Sequence, residues 1–346
     1  MESLGGAEFA PDTTYLNTSY CGLLPARAAE AMSALIRELA TGRSAGDHDR
    51  ITAVRHSFAR IAGVGADRVA LGGSVAVHVG LIASSLPPGA EILLPEGEYT
   101  SVVTPFAVRG DLKLRYAPRA ALADAVRPGT ALVALSAVHS SDGVIADLPA
   151  VREAAAAHGA RTLVDASQSA GWLPLRAGEW DFTVTGGFKF LLCPRGVSFL
   201  TVTEEAQRTV APLHAGLFAA EGLDTFYGPI ERFASSARRF DEAPAYVSYH
   251  GAEQSLALLE EIGADAIHAH TTGLARRFRD GLRSLGHAPL PGDSAIVAVP
   301  GLGGRAPELA RAGVLVSDRD GNLRVSFHLY NTSADADRVL DVLAAA

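Results

Sequence analysis

The sequence predicts an α/β protein with a large, mostly parallel sheet followed by a smaller α+β unit. Its 346 residues allow one large domain or two unequal ones. Hydrophobic residues make up 48%, enough for an extensive core, and this excludes a chain disordered throughout. Up to about residue 235, short apolar runs alternate with amphipathic helical stretches. Strands joined by crossover helices are typical of a parallel sheet covered on both faces.

Seven strands are predicted from runs rich in β-branched and other apolar residues. They span residues 68–71, 91–94, 112–116, 131–136, 161–165, 181–185 and 197–202. The stretch LPAVREAAAAH at 148–158 has the apolar spacing of an amphipathic helix. We therefore expect a seven-stranded sheet with helices on its faces.

A change of pattern after residue 235 predicts the smaller unit. Helices are expected at 247–262, 271–285 and 334–343, and short strands at 295–299 and 323–327. In the second helix, apolar residues fall on one face: Leu274, Phe278, Leu282 and Leu285. We predict a large domain at 15–235 and a small α+β domain at 236–346 that includes the N-terminal segment 1–14.

Charge and composition exclude several classes of function. The net charge is −8 and no run of Lys or Arg occurs, so nucleic acid and anionic membranes are poor partners. The acidic N-terminus lacks an apolar signal segment and no apolar run reaches about 18 residues, which predicts a cytoplasmic protein. Cys21 and Cys193 make no disulfide framework, and no Cys/His cluster has zinc spacing, so no metal is expected.

Only two lysines, Lys113 and Lys189, are available for chemistry that needs an amine. Lys113 lies in DLKLRY, where charged residues alternate as on the solvent face of a strand. Lys189 lies in GGFKFLLCPRG among apolar neighbours, which a solvated surface lysine would not have. Lys189 is therefore the candidate functional amine.

An acid and this amine follow two neighbouring predicted strands. Asp165 ends the strand RTLVD and precedes Gln168, while Thr185 ends DFTVT and precedes Lys189. Ligands of parallel sheets bind beyond the carboxyl ends of strands, so these four side chains can share one pocket. A carboxylate facing a pyridinium nitrogen, with a lysine that forms a Schiff base, is the arrangement that pyridoxal chemistry needs. Taken alone, Asp165 could equally be a carboxylate that caps the following turn.

Seven segments in this order resemble one family. They are TYLNTSYCGLLP, LGGSVAVHVGLIASSL, EGEYTSVVTPF, LSAVHSSDGVIADL, VDASQSAGWLPL, TGGFKFLLCPRGVSFL and LRVSFHLYNTSADADRVL. The chain resembles the class V aminotransferase family of fold-type I pyridoxal 5′-phosphate enzymes. That family includes cysteine desulfurases, isopenicillin-N-epimerase-like and kynureninase-like proteins, and C–S lyases. The resemblance implies the fold-type I architecture, a bound pyridoxal 5′-phosphate and a homodimer that acts on a small amino acid.

The resemblance assigns the residues that hold the cofactor. It implies that Lys189 bonds covalently to the cofactor, Asp165 pairs with the pyridine nitrogen and Gln168 binds the ring hydroxyl. Tyr99 would stack on the ring. Gly73, Ser74 and Val75, at a helix N-terminus, would bind the phosphate, and Thr185 would be a further phosphate contact. Ser140 stands near the ring hydroxyl, where relatives have an asparagine.

The substrate end is assigned in the same way. Arg324 occupies the family's position for the α-carboxylate, which a guanidinium binds with two parallel hydrogen bonds. Asn17 would assist it. Three of these residues have a structural alternative. Ser74 could be an ordinary helix cap, Asn17 could be a turn residue, and Tyr99 could be a residue at a strand edge. Arg195 is left open between a ligand contact and a structural pair.

Departures from the family pattern shape the expected reaction. Gly186 and Phe188 replace a serine and a histidine before the lysine, and Ala243 stands where a partner-chain threonine would contact phosphate. The loop at 312–321 has no cysteine, which excludes persulfide formation by the desulfurase route. We therefore expect a β-eliminating C–S lyase acting on a cysteine S-conjugate, similar to the ergothioneine and lincosamide branch of secondary metabolism. The alternative is an aminotransferase or a decarboxylation-coupled oxidative deaminase. Retention of Lys189 and Arg324 argues against a scaffold without turnover.

Overall fold

The computed structural model describes residues 1–43, 48–222 and 226–345. Its α-helices are α1 (Ala26–Ala40), α2 (His48–Ala62), α3 (Val75–Ser85), α4 (Thr100–Ala107), α5 (Leu148–His158), α6 (Glu204–Gln207), α7 (Tyr246–Ile262), α8 (Ala264–Ser284), α9 (Ala306–Arg311) and α10 (Ser333–Ala344). Its strands are β1 (Thr14–Tyr15), β2 (Val69–Gly72), β3 (Glu91–Pro95), β4 (Lys113–Ala117), β5 (Thr130–Ser136), β6 (Arg161–Asp165), β7 (Phe182–Gly186), β8 (Ser198–Val202), β9 (Ile296–Pro300), β10 (Val314–Leu315), β11 (Ser317–Arg319) and β12 (Asn322–Ser326). No helix in these ranges combines the length and apolar character needed to cross a membrane.

The large sheet has seven strands in the order β2-β8-β7-β6-β5-β3-β4. Strand β8 is antiparallel to both of its neighbours, and the other pairs are parallel. Its central strands are buried along nearly their whole length because helices cover both faces. The predicted mostly parallel, seven-stranded sheet is confirmed. Lys113 begins the edge strand β4 with its side chain exposed, as predicted.

A second core lies in the C-terminal part of the chain. The antiparallel sheet β11-β12-β9 packs against α8 and α10, and the residues buried between them include Phe278, Val297, Val325 and Val339. The N-terminal segment joins this part, since β1 pairs with β10 and the Leu4 N–H donates to the Leu329 carbonyl at 2.8 Å. The α+β character predicted for this region is therefore observed.

Helix α7 belongs by its contacts to the large sheet. It packs against α1 and α2, and Tyr249 and Leu256 are buried in the same cluster as Phe58 of α2 and Phe199 of β8. The chain thus begins to pack into the second core only after Ile262. This point lies within the region assigned above to the small domain. The division at 235/236 itself stays a prediction.

Helix α8 begins earlier than predicted. The expected helix at 271–285 covers only its second part, because the chain turns into α8 at Gly263, with φ of +89°. Gly263 offers no side chain to cap the helix, so the usual polar start signal is missing. The first turns of α8 also have Ile267 as their one large apolar side chain, among alanines and polar residues, so their periodicity is weak.

Candidate active site

The candidate site lies at the carboxyl edge of the large sheet. The segments that follow β5, β6 and β7 meet there with the turn between β11 and β12 and with the start of α4. They enclose a cavity of about 310 Å³. The residues that line it are Ser19, Tyr20, Gly97, Glu98, Tyr99, Thr100, His139, Ser140, Ser141, Gln168, Phe188, Lys189, Arg195, Arg319, Asp320 and Arg324.

Lys189 is held at the floor of this cavity by the tight turn after β7. Its side chain is buried, and its carbonyl accepts the N–H of Leu192 at 3.2 Å. A Cβ on Gly22 would lie 2.2 Å from that carbonyl oxygen, so the N-terminal segment can pass only because residue 22 is glycine. Burial lowers the pKa of Lys189 to about 8, with Asp165 acting in the opposite direction and nearby arginines adding to the decrease. The amine is therefore partly neutral near physiological pH.

Asp165 and Gln168 lie beside the lysine at the end of β6. The Asp165 carboxylate is buried and accepts the Ser167 N–H at 2.8 Å. Burial raises its pKa, although Lys189 and the bonds from Ser167 act in the opposite direction. Gln168 donates through Nε2 to the Ser19 carbonyl at 3.0 Å, and its Oε1 is buried without a partner. A buried carboxylate and a free amide oxygen thus lie on the same side of the site.

Tyr99 forms the opposite wall. It lies at the N-terminal end of α4, and Lys189 Nζ is 5.3 Å from the centroid of its ring. About 46% of Tyr99 is exposed, so one face of the ring is open to the cavity rather than packed in the core. This placement agrees with the predicted stacking role, which stays a prediction.

Arg324 points into the cavity from β12. Only 2% of the residue is exposed, and its Nη1 donates to the Ser140 carbonyl. The remaining donors Nε and Nη2 are buried without a partner. Burial lowers the pKa of Arg324 to about 9. A buried guanidinium with two free donors is arranged to bind a carboxylate. Ser140 contacts it through the backbone, whereas the sequence pointed to the Ser140 side chain.

Asn17 has a partner inside the protein. Its Oδ1 accepts the Ser317 hydroxyl at 2.6 Å, and its backbone bridges to Ser326. Asn17 is not among the residues that line the cavity. It therefore fixes the strand that carries Arg324, and its predicted contact with a substrate carboxylate stays a prediction.

The predicted phosphate site contains a carboxylate from this chain. Ser74 caps α3 by accepting the Val77 N–H at 3.4 Å. The Gly73 N–H donates to Glu242 Oε2 at 2.8 Å, so a negative oxygen lies where Gly73, Ser74 and Val75 were expected to hold a phosphate oxygen. Thr185, in β7, is fully buried with its hydroxyl unpartnered. Glu242 would compete with a phosphate for this helix end, and the predicted phosphate contacts stay a prediction.

Unsatisfied buried polar atoms test whether pyridoxal 5′-phosphate fits. Buried donors and acceptors normally have partners, so a cluster without them points to a ligand. Those on residues that line the cavity are Ser19 Oγ, Gln168 Oε1, Arg324 Nε and Arg324 Nη2, and Thr185 Oγ1, near the end of β7, is a further unpartnered atom on a residue outside the lining. With the Asp165 carboxylate and the Lys189 amine, they provide an acceptor for a ring nitrogen, a partner for a ring hydroxyl and a nucleophile for an aldehyde. The residues present therefore fit the cofactor's ring.

Several residues of the site had no clear signal in the sequence. Ser19, Tyr20 and Glu98 are brought to the cavity by loops far apart in the chain. Arg319 could have been found from its place on the hairpin that carries Arg324. His139 was left open as a loop residue, and its ring is held at both nitrogens, by the Gly97 carbonyl at 2.9 Å and the Ser141 hydroxyl at 2.9 Å.

The cysteines and acidic groups give no further site. Cys193 is buried, and burial raises its pKa; Cys21 is half-buried, and burial raises its pKa too. In the described ranges, no group of three or more His, Cys, Asp or Glu side chains is arranged to hold a metal ion.

Comparison with known proteins places this chain in a family. The aminotransferase class-V family profile matches residues 72–300. Isopenicillin N epimerase of Streptomyces clavuligerus is 30% identical over 99% of this chain and 97% of its own length. The uncharacterized aminotransferase YcbU of Bacillus subtilis is 28% identical over 84% of this chain and 82% of its own.

Solved structures share the whole fold. The cystine C–S lyase C-DES superposes with a TM-score of 0.87 at 24% identity, covering 96% of this chain and 97% of its own. One form of C-DES has glycine covalently linked to pyridoxal phosphate. The cysteine desulfurase of Thermococcus onnurineus NA1 gives a TM-score of 0.83 at 22% identity, over 96% and 94% of the two chains. The chain belongs to the class V aminotransferase family and is a pyridoxal 5′-phosphate-dependent enzyme that acts on amino acids.

Proposed function

We propose that the enzyme is a β-eliminating C–S lyase that cleaves a cysteine S-conjugate. One observation carries the proposal: among the described residues that line the cavity, none is a cysteine. The turn next to Arg324 contains Arg319 and Asp320 in the region where desulfurases place a nucleophilic thiol. Without a protein thiol to accept sulfur, the sulfur leaves on the substrate's own side chain. The likeness to the C–S lyase C-DES is consistent with this outcome.

Binding and orientation of the substrate depend on Arg324. Arg324 lines the cavity, and its Nε and Nη2, which have no partner among the described residues, can donate two hydrogen bonds to an α-carboxylate. Tyr99 closes the face across from the lysine. With the carboxylate fixed, the bond from Cα to hydrogen can be directed at Lys189 Nζ.

Proton transfer depends on Lys189 and Asp165. Pyridoxal 5′-phosphate, when bound, supplies an electron sink for the pair left by the α-proton. Lys189 Nζ, with its pKa lowered to about 8, accepts that proton. Asp165 would hold a proton on the cofactor's ring nitrogen. The electron pair left by the α-proton would then form a Cα–Cβ double bond as the Cβ–S bond breaks, and the thiolate would leave with the electrons of the Cβ–S bond. Water hydrolyses the unsaturated amine, once released, to a keto acid and ammonia.

The experiment that tests this proposal measures all products of purified enzyme with a cysteine S-conjugate. A lyase releases thiol, keto acid and ammonia in equal amounts over many turnovers without an added acceptor. Loss of the cofactor's aldehyde absorption after one turnover, restored only by a keto acid, would identify an aminotransferase instead. Release of carbon dioxide with an aldehyde that retains the sulfur would identify the decarboxylating deaminase.

We further propose a cytoplasmic homodimer with a role in secondary metabolism. The resemblance to isopenicillin N epimerase is consistent with that role. The segment after β8 exposes Leu213, Phe226 and Tyr227, and exposed apolar side chains in one segment are typical of an interface. Sedimentation should give twice the 36.0 kDa of the chain. A monomer that binds the cofactor fully would contradict the dimer.

A further inference from the structure

The substrate cavity contains more positive charge than one α-carboxylate requires. Arg195, Arg319 and Arg324 line it together with Lys189. All three arginines lie near enough to lower the pKa of the lysine. The cavity measures only about 310 Å³, so these cations share a small volume. Like charges held this close destabilise one another unless anions are bound between them.

Asp165 opposes the charge of Lys189, but the acidic residues that line the cavity do not balance its three arginines. Glu98 accepts the Ser136 N–H and hydroxyl, both at 2.7 Å, so its carboxylate is turned toward the chain's own donors. Asp320 lies in the turn after β11 and adds one negative charge at the rim. In the described part of the chain, no ion pair joins a carboxylate to any of the three arginines, whose recorded contacts are with carbonyls and rings.

The arginines differ in depth. Arg324 is buried at the end of the cavity beside Lys189. Arg195 and Arg319 are exposed at the rim. The Arg195 guanidinium lies 4.4 Å from the Phe188 ring centroid and 5.6 Å from that of Tyr20, which holds it over the cavity mouth. A side chain that extends from an amino acid bound at Arg324 would therefore end near Arg195 and Arg319.

We propose that the substrate is an amino acid whose side chain ends in a second anionic group, a carboxylate or a sulfonate, bound by Arg195 and Arg319. This inference rests on the proposed function for the place of the α-carboxylate at Arg324. Within that function it defines the S-conjugate as one with an acidic terminus. Arg195 and Arg319 are then specificity residues, whereas Arg324 serves every substrate.

The test uses two conjugates that differ by one charge. S-carboxymethylcysteine ends in a carboxylate, and S-carbamoylmethylcysteine ends in a neutral amide. The two compounds have the same number of heavy atoms. We expect the holoenzyme to prefer the carboxylate by about 10- to 100-fold in kcat/KM, the range for a hydrogen bond to a charged group. We expect the same preference in Kd, measured from the change in the cofactor's absorption on binding.

Variants separate the rim from the floor of the cavity. Arg195→Gln and Arg319→Gln should each lose at least about five times more affinity for the carboxylate than for the amide. Arg324→Gln should weaken both conjugates alike. Arg311→Gln, exposed at the end of α9, is the matched control and should leave the preference unchanged. Cofactor absorbance and circular dichroism show that each variant is folded and loaded.

The inference is overturned if the wild-type enzyme binds the two conjugates equally, or if the rim variants weaken both alike. Failure of the proposed function has a different signature. In that case the charge preference persists in Kd, but no thiol is released from either conjugate.

Discussion

At the residue scale, the site depends on one amine that the rest of the chain cannot replace. Lys189 is buried in the cavity, whereas Lys113 is exposed on the edge strand β4. Borohydride reduction of the holoenzyme should fix the cofactor to Lys189. Lys189→Ala should lose the adduct, and Lys113→Ala, as the matched control, should keep it. Peptide mass mapping checks this, and an adduct on Lys113 would show that the site is misassigned.

A second prediction at this scale concerns Glu242. Its carboxylate accepts the Gly73 N–H at the start of α3, where a phosphate would also bind. Two anions on one helix end repel each other, so Glu242→Gln should raise the affinity of the apoprotein for pyridoxal 5′-phosphate by about 3- to 10-fold. Titration followed by absorbance measures this affinity. Glu205→Gln, exposed in α6, is the control. Weaker binding by Glu242→Gln would mean that Glu242 supports the phosphate site.

At the element scale, a buried ion pair connects α2 to β2 and to the segment that carries Glu242. Arg55 Nη2 lies 2.5 Å from Asp241 Oδ2, and Asp241 Oδ1 accepts the Leu71 N–H at 2.9 Å. Arg55→Met leaves a buried carboxylate without its partner, which should lower the free energy of unfolding by about 3–5 kcal/mol.

The same helix provides the control for this prediction. Arg60 pairs with Glu260 with much of the Arg60 side chain exposed, so Arg60→Met should cost less than about 1 kcal/mol. Urea unfolding of both variants measures the difference. Equal losses would show that the Arg55 pair contributes no more than a surface pair.

At the scale of the whole molecule, two buried histidines are expected to make the native protein less stable in acid. Burial lowers the pKa of His78 and of His328 from 6.5 to about 4. Between these values the unfolded chain binds protons that the native protein does not, so the free energy of unfolding falls as the pH falls from 6.5 to 4. The loss should be on the order of 1–3 kcal/mol per histidine.

Urea unfolding across this pH range tests the prediction. His328→Gln should flatten the acid limb of the profile, because glutamine does not titrate. His158→Gln, exposed at the end of α5, should leave the profile unchanged. The prediction is wrong if the native protein is equally stable at pH 4 and pH 6.5.

The sequence by itself determined the features that have a local physical signal. Apolar runs bounded by turns predicted the seven strands, because burial on both faces of a parallel sheet excludes polar residues from them. The apolar neighbours of Lys189, against the charged neighbours of Lys113, identified the buried amine. Asp165 and Thr185 were placed near it because strands of a parallel sheet end at the same edge.

Only the tertiary structure decided how distant segments meet. Glu242 reaches Gly73 across 169 residues, and Arg324 contacts the Ser140 carbonyl across 184. Such contacts leave no periodic pattern, since they depend on how loops close rather than on how one helix or strand packs. For the same reason, the sequence identified Arg324 only by resemblance to a family. That Arg195 and Arg319 line the same cavity is shown only by the tertiary structure, in which the segments after β7 and β11 meet.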